Sequence, residues 1–186
     1  MIKYIIAAFL AFIILLQHNQ IKQINDITEL QTQVIESQAL FISETVEDIG
    51  YMRRYKIPYE YLQLVLSECA TREVDPDFII RLMYVESGYD KNARSAKYAY
   101  GLMQLLYPTA CEVDPSLESY YQLFDPEVNV RIGVAYFKML LLRYGGDYQL
   151  AAIAYNRGIG RMDSELAEGG LIDWYYVKIE SIETVQ

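Results

Sequence analysis

The chain has 186 residues, 53% of them hydrophobic, which is enough for one domain with a core and an appendage. Its formal net charge is −9, and no basic stripe is present that could neutralise phosphates, so nucleic acid is excluded as a partner. The two cysteines form no CxxC pair and the single histidine is remote from both, so neither a metal nor another cofactor is expected. Cys69 and Cys111 leave open a disulfide in an exported protein or two buried thiols, of which the second is favoured.

The first twenty residues are predicted to direct export. Lys3 precedes an uncharged apolar run over residues 4–16, which as a helix would be about 20 Å long. That length is short for a bilayer span and typical of a signal peptide. The bulky polar residues 17–20 offer no clear cleavage site. Residues 1–20 are therefore a signal peptide or a membrane anchor, and the expected location is the periplasm or cell envelope, with inner-membrane anchoring as one alternative.

Residues 21–50 are predicted to form a helical stalk or linker. Neither Pro nor Gly occurs over 21–49, and apolar residues at spacings of 3 and 7 form a weak heptad, which favours a short coiled coil: Ile24, Ile27, Val34 and Phe41. An amphipathic helix lying against another surface and a partly disordered linker are the alternatives. Gly50 is predicted to end this helix, so the domain boundary is placed between residues 50 and 51.

Residues 51–186 are predicted to form a mostly α domain, because helical patterns alternate with Pro and Gly and no strand pattern is evident. Asp-Pro pairs at 75–76 and 125–126 predict an N-cap followed by the first helical residue. The helix after Asp125 should extend to about Tyr144 and be the central buried one, with Val130, Val134, Phe137, Leu140 and Leu141 in the core.

A carboxylate falls on the apolar stripe of the helix that begins after residue 75. Ile79, Met83 and Glu86 are spaced i, i+4 and i+7, and Gly88 predicts the C-cap. Burial of a carboxyl raises its pKa, and an acid that stays protonated at neutral pH can protonate a poor leaving group. The alternative is a Glu86 at the exposed helix end that is half solvated or paired with an arginine such as Arg94.

Four motifs in a fixed order carry a family resemblance. They are Glu86-Ser87-Gly88, then Gly101-Leu102-Met103-Gln104, then Leu123-Phe124-Asp125-Pro126 with Asn129 and Gly133, then Ala154-Tyr155-Asn156. In this order and spacing the chain resembles, over roughly residues 75–160, the lytic transglycosylase catalytic domain of the soluble type related to goose-type lysozyme. A looser match is residues 174–179, where the family usually has an aromatic-Val pair.

The resemblance implies a lysozyme-like α-helical domain that cleaves the β-1,4 bond between N-acetylmuramic acid and N-acetylglucosamine in peptidoglycan. It implies that Glu86 is the catalytic residue and that the substrate-binding residues are Ser87, Met103, Gln104, Tyr155, Asn156 and Tyr176. Core packing is the open alternative for Met103. One carboxylate suffices for a transglycosylase, in which the muramoyl C6 hydroxyl attacks C1 to give a 1,6-anhydro end, whereas ordinary glycosidases use two.

Several alternatives and partners stay open at this point. A goose-type muramidase would leave reducing ends, and a non-catalytic wall-binding assembly module would keep only the fold. A membrane-anchored helical structural protein is the remaining alternative. The expected partner is the peptidoglycan glycan strand, with a membrane contacted through residues 4–16 and a secretion, conjugation or phage assembly as further alternatives.

Two features depart from the family pattern. Tyr98 stands where the family usually has a small residue, often Gly, so it is predicted either to restrict the backbone or to line the groove. Residues 51–186 hold 14 Lys and Arg against 19 Asp and Glu, a net charge of −5. This acidic balance favours a local, positioned role over tight binding to bulk peptidoglycan.

Overall fold

The computed structural model describes residues 1–167 and 174–182. The chain forms two compact units, Met1–Glu47 and Asp48–Gln186. The first helix, α1, extends over Ile2–Tyr55 and therefore continues through Gly50, so the prediction that Gly50 ends it is wrong. One glycine costs a helix interior only about 1 kcal/mol. The helix ends instead where Lys56 adopts a left-handed φ of 55°, two residues before Pro58 disfavours helical backbone.

The first unit is helical, and most of its described apolar side chains are exposed. The predicted heptad residues Ile24, Ile27, Val34 and Phe41 are all more than half exposed. Helix α1 also contains a window long and apolar enough to cross a membrane, with a mean hydropathy of 1.7. A signal sequence has the same length and composition, so the division into signal or anchor and stalk stays a prediction.

The second unit is built from helices, as predicted. They are α2 (Tyr59–Arg72), α3 (Pro76–Ser87), α4 (Tyr107–Val113), α5 (Pro126–Arg143), α6 (Tyr148–Arg157), α7 (Ile159–Ala167) and α8 (Trp174–Glu180), with a 3₁₀ turn at Tyr120–Phe124. Two antiparallel strands of two residues each, β1 (Ala99–Tyr100) and β2 (Leu105–Leu106), pair Ala99 with Leu106 and Tyr100 with Leu105. Such short strands show no alternation in a sequence.

The predicted helix caps are confirmed. The Asp75 side chain accepts a hydrogen bond from the amide of Asp77, and Asp125 accepts two at the start of α5. Gly88 ends α3 with a left-handed φ of 60°. These caps satisfy backbone groups that a helix end leaves unpaired, so residues local in sequence set where α3 and α5 begin.

Helix α5 is the central buried helix, as predicted, and packs against α2 and α6. All five of its predicted core residues are buried. The ring of Phe137 in α5 lies 5.1 Å from that of Phe78 in α3, centroid to centroid, and close to Tyr148 in α6. The aromatic contact anchors the beginning of α3 in the core, and the opposite end of α3 carries Glu86.

Both cysteines are free thiols. Cys69 is buried, and burial raises the pKa of its thiol to about 12. Cys111 is partly buried. The structure therefore has two unpaired thiols, as the favoured interpretation predicted.

Candidate active site

Glu86 lies in the last turn of α3 and is partly buried. Ile79 and Met83, on the same face of α3, are fully buried. Glu86 therefore lies on the core-facing side of the helix, at the end of that face. Burial raises the pKa of Glu86 above its ordinary value, although a hydrogen bond from Tyr175 and the positive charge of Lys178 act in the opposite direction. The net effect favours the protonated acid.

Arg94 is engaged elsewhere. Its guanidinium carbon lies 5.1 Å from the centroid of the Tyr98 ring and 5.7 Å from that of Tyr100. Between residues of the described ranges 1–167 and 174–182, no ion pair joins Arg94 to Glu86. Pairing of Glu86 with this arginine is therefore not the arrangement found.

A cleft of about 290 Å³ opens beside Glu86. Its walls are formed by Glu86, Ser95, Lys97, Ala99, Gln104, Leu106, Tyr155 and Asn156. The structure thus brings together four of the predicted site residues, which come from three separate motifs. Glu86 is the carboxyl among these lining residues, and the remaining polar groups are amides, hydroxyls and one ammonium.

Asn129 organises the loop that forms one wall. This fully buried side chain accepts a hydrogen bond from the amide of Met103 at 2.8 Å and donates to the carbonyls of Tyr100 at 2.9 Å and Leu123 at 2.7 Å. Gly101 has a φ of 75°, and a Cβ there would lie 2.2 Å from the Leu123 carbonyl oxygen. The loop conformation therefore depends on a buried amide and on a residue without a side chain.

Two hydroxyls tie helices to this loop. Ser87 at the end of α3 donates a hydrogen bond of 2.7 Å to the carbonyl of Leu102. Tyr155 in α6 donates one of 2.8 Å to the carbonyl of Met103. Both hydroxyl groups thus fix the position of the loop relative to Glu86, and a role in binding substrate stays a prediction for both residues.

Gln104 faces the cleft with a left-handed φ of 50°. Its amide nitrogen donates to the carbonyls of Gly101 at 2.9 Å and Ala93 at 3.2 Å. Because that nitrogen is engaged within the loop, binding of substrate by Gln104 would rely on its carbonyl oxygen. Asn156, by contrast, is exposed at the cleft.

Met103, predicted as a substrate-binding residue, lies in the core. Its side chain is fully buried, and a Cβ built on Gly133 would lie 2.3 Å from its sulfur atom. Because Gly133 has no side chain, the Met103 thioether can pack directly against α5 beneath the loop. Core packing, the alternative left open by the sequence, is what the structure shows.

Tyr176, predicted to bind substrate, is not among the described residues that line the cleft, and that role stays a prediction. The ring of Tyr176 lies 6.3 Å from that of Phe78, near the beginning of α3, whereas the hydroxyl of the preceding Tyr175 donates to Oε1 of Glu86. Tyr175 and Ile179 are both buried and are spaced i, i+4. That apolar stripe on α8 is the signal that could have identified Tyr175 from the sequence.

Tyr98 has a left-handed φ of 61° and is 62% exposed. A residue other than glycine in this region costs roughly 1–2 kcal/mol, so the predicted restriction of the backbone is confirmed. The cleft-lining Ser95, Lys97, Ala99 and Leu106 were not predicted. They come from the irregular segment and the short strands on either side of the motif, where neither periodicity nor spacing marks them.

A partly buried acid at the wall of an open cleft, in a helical unit held together by one central helix, defines a lysozyme-like domain. The chain belongs to the transglycosylase SLT domain family, whose model matches residues 63–171. The family matched is the one that the sequence motifs resemble.

Named relatives and solved structures agree with this membership. The chain is 29% identical over 124 residues to the soluble lytic murein transglycosylase of Escherichia coli, covering 63% of this chain and 19% of that one. It is 34% identical over 118 residues to the membrane-bound lytic murein transglycosylase C of Yersinia pestis, covering 56% and 33%. The chain thus spans about a fifth to a third of the length of these relatives.

Among solved structures, the chain is similar to an inactive glutamate-to-glutamine mutant of the lytic transglycosylase Slt from Pseudomonas aeruginosa. The TM-score is 0.54 with 33% identity, over 65% of this chain and 20% of that one. It is also similar to a 70-kDa soluble lytic transglycosylase in complex with bulgecin A, with a TM-score of 0.57 and 30% identity, over 68% and 21%. The lysozyme-like α-helical fold expected from the sequence is confirmed.

Proposed function

We propose that this chain is a peptidoglycan lytic transglycosylase that cleaves the β-1,4 bond between N-acetylmuramic acid and N-acetylglucosamine. The observation that carries the proposal is the position of Glu86. Its carboxyl lies at the wall of a cleft that also presents Gln104, Tyr155 and Asn156. Its pKa is raised by burial, as the proton donor of a glycosidic cleavage requires.

The proposed reaction uses one carboxyl twice. Glu86 donates its proton to the leaving glycosidic oxygen, and the N-acetyl group of the muramoyl sugar stabilises the positive charge that develops at C1. The Glu86 carboxylate then accepts the proton of the muramoyl C6 hydroxyl as that oxygen bonds to C1. The products are a new sugar hydroxyl and a 1,6-anhydromuramoyl end, and Glu86 recovers its proton.

The amide-lined wall supports the same reaction. Asn156 is exposed at the cleft, where its amide can hydrogen-bond the acetamido and hydroxyl groups of a sugar ring. Holding the ring in one orientation lowers the barrier for attack by the C6 hydroxyl oxygen, because the nucleophile belongs to the same sugar. The relatives are named murein transglycosylases, and the Pseudomonas protein is inactive as a glutamate-to-glutamine mutant, in line with an essential carboxyl.

Mass spectrometry of released muropeptides tests the proposal. The purified full-length chain is incubated with isolated peptidoglycan, beside the Glu86→Gln variant as the matched control. Products with 1,6-anhydromuramoyl ends are expected from the parent chain alone. Reducing ends would assign the protein to the goose-type muramidases, and strand binding without any product would favour a non-catalytic wall-binding module.

We further propose that residues 1–20 export the domain to the periplasm or cell envelope, as a cleaved signal or as an inner-membrane anchor. The support is the apolar window of α1 and the membrane-bound relative from Yersinia pestis. An alkaline phosphatase fusion after Tyr55 should be active in cells, and the same fusion lacking residues 1–20 should not. A stable but inactive full-length fusion would refute export, and N-terminal sequencing separates cleavage from anchoring.

A further inference from the structure

One short segment beside the cleft has a charge opposite to that of the chain. Residues 91–97 carry Lys91, Arg94 and Lys97 and no Asp or Glu, whereas the whole chain has a net charge of −9. All three cations are exposed, and Lys97 lines the cleft together with Glu86. This wall of the cleft is therefore locally positive although the chain as a whole is acidic.

Most arginines elsewhere in the second unit are paired with carboxylates of the same chain. Such pairs neutralise charge on the surface, and they are Arg54–Asp77, Arg72–Glu68, Arg81–Glu180, Arg131–Asp114, Arg143–Asp163, Arg157–Glu165 and Arg161–Glu165. Within residues 1–167 and 174–182, none of the ion pairs involves a cation of segment 91–97. The positive charge of this segment is therefore available to an anionic ligand.

The segment is also held in place before any ligand binds. The hydroxyl of Ser95 accepts hydrogen bonds from the amides of Ala99 at 3.0 Å and Lys97 at 3.2 Å. The amide of Gly101 donates to the carbonyl of Ala93 at 2.9 Å. Ordered backbone on both sides of Lys97 reduces the entropy that binding would otherwise cost.

Arg94 has its guanidinium over the rings of Tyr98 and Tyr100. An arginine beside aromatic rings keeps its positive charge, and a guanidinium can bind a carboxylate through two N–H groups. The left-handed Tyr98 thus supplies a contact that a small residue at this position could not. The strained tyrosine and the basic segment belong to one local arrangement.

We propose that Lys97, supported by Arg94, binds a carboxylate carried on the lactyl arm of the muramoyl sugar. The inference rests on the proposed function, which places that sugar next to Glu86. The lactyl carboxyl is free in bare glycan and amide-linked in peptide-bearing strands, where the peptide supplies carboxylates of its own. Both sources offer the same anion, and a cation at the cleft wall would select for it despite the acidic surface around it.

Binding to soluble glycan strands tests the assignment. Affinity is measured in the Glu86→Gln background, so that the result does not depend on turnover, with and without Lys97→Gln. Three ligands are compared: peptide-bearing strands, amidase-treated strands with free lactyl carboxylates, and peptide-bearing strands with their carboxylates converted to methylamides. Lys97→Arg keeps the charge, and Lys91→Gln removes one charge from the same segment outside the cleft lining.

Lys97→Gln is expected to raise Kd about tenfold for a carboxylate-bearing strand, on the scale of one charge-assisted hydrogen bond. Methylamide strands should bind both proteins equally, and Lys97→Arg should restore most of the affinity. A loss confined to peptide-bearing strands identifies the peptide carboxylates, whereas a loss on amidase-treated strands identifies the lactyl carboxylate.

Three results would overturn the assignment. They are an unchanged Kd in Lys97→Gln, an equal loss on methylamide strands, and an equal loss in Lys91→Gln. An unchanged Kd would show that Lys97 does not contribute to binding. An equal loss on methylamide strands would show a steric role, and an equal loss in Lys91→Gln would show a non-specific attraction by the charge of the whole segment. Cleavage of peptidoglycan by the parent chain is measured separately, so failure of this proposal and failure of the proposed enzyme activity are distinguishable.

Discussion

The hydroxyl of Tyr175 donates a hydrogen bond to Oε1 of Glu86 and so links α8 to the end of α3. A donated hydrogen bond stabilises the carboxylate more than the acid and lowers the pKa of Glu86, whereas burial raises it. Burial is the larger effect, and the pKa stays above the ordinary glutamate value. Two opposing contributions therefore set how readily the acid gives up its proton.

Tyr175→Phe should raise the pKa of Glu86 further, because the contribution that lowers it is removed. A general acid must be protonated, so activity falls as pH rises through its pKa. The alkaline limb of the kcat/KM profile should move to higher pH in the variant. Tyr176→Phe is the matched control and should leave the limb in place, since the Tyr176 ring lies against Phe78. A limb displaced to lower pH would contradict the assignment.

Glu86→Gln should lower cleavage by a factor of at least about a hundred, the low end for general acid catalysis. Stability should be unchanged or higher at neutral pH. The raised pKa means that the folded state binds more protons than the unfolded state, so the free energy of unfolding of the parent decreases as pH rises through that pKa. Urea titrations from acid to neutral pH should show this decrease in the parent and a smaller one in the variant. Full activity of the variant would refute Glu86 as the acid.

Local features of the fold were predictable from the sequence because their causes are local. Asp75 and Asp125 cap helices through amides two or three residues away, and Gly88 supplies a left-handed C-cap. The stripe that placed Glu86 above Ile79 and Met83 is likewise a property of one helix. The extension of α1 through Gly50 was missed, because a single glycine weakens a helix without stopping it.

Contacts between distant residues could not be predicted in the same way. Tyr175 and Glu86 are 89 residues apart, and the amide of Asn129 joins carbonyls and an amide up to 29 residues away. The order of the motifs identified the family, but it does not give the rotation of α8 about its axis. That rotation decides whether Tyr175 or Tyr176 faces Glu86. The burial of Met103 likewise follows from the close approach of α5 at Gly133.

Asn156→Ala should reduce turnover with little loss of stability. Its side chain is exposed at the cleft, so truncation removes a group placed to contact substrate and leaves the core unchanged. Steady-state kinetics on glycan strands and urea denaturation of the same protein separate the two effects. A loss of several kcal/mol in stability would instead make Asn156 structural.

Gly101→Ala should destabilise the fold far more than Gly145→Ala, although both glycines have left-handed backbone, with φ of 75° and 67°. Left-handed strain alone costs roughly 1–2 kcal/mol, and a Cβ at Gly145 would meet no atom within 4 Å. At Gly101 the Cβ would lie 2.2 Å from the carbonyl oxygen of Leu123 and 2.3 Å from the amide nitrogen of Asn129. Relieving that overlap must displace the buried amide.

The displacement would break hydrogen bonds inside the core, where each unsatisfied group costs about 1–3 kcal/mol. A total loss of at least about 4 kcal/mol is therefore expected for Gly101→Ala, against about 1–2 kcal/mol for Gly145→Ala. Activity should fall with it, because the Asn129 amide holds the loop whose Met103 carbonyl receives the Tyr155 hydroxyl. Urea denaturation of both variants measures the difference. Equal losses at the two glycines would show that the loop relaxes around the added methyl group and that Asn129 does not fix its conformation.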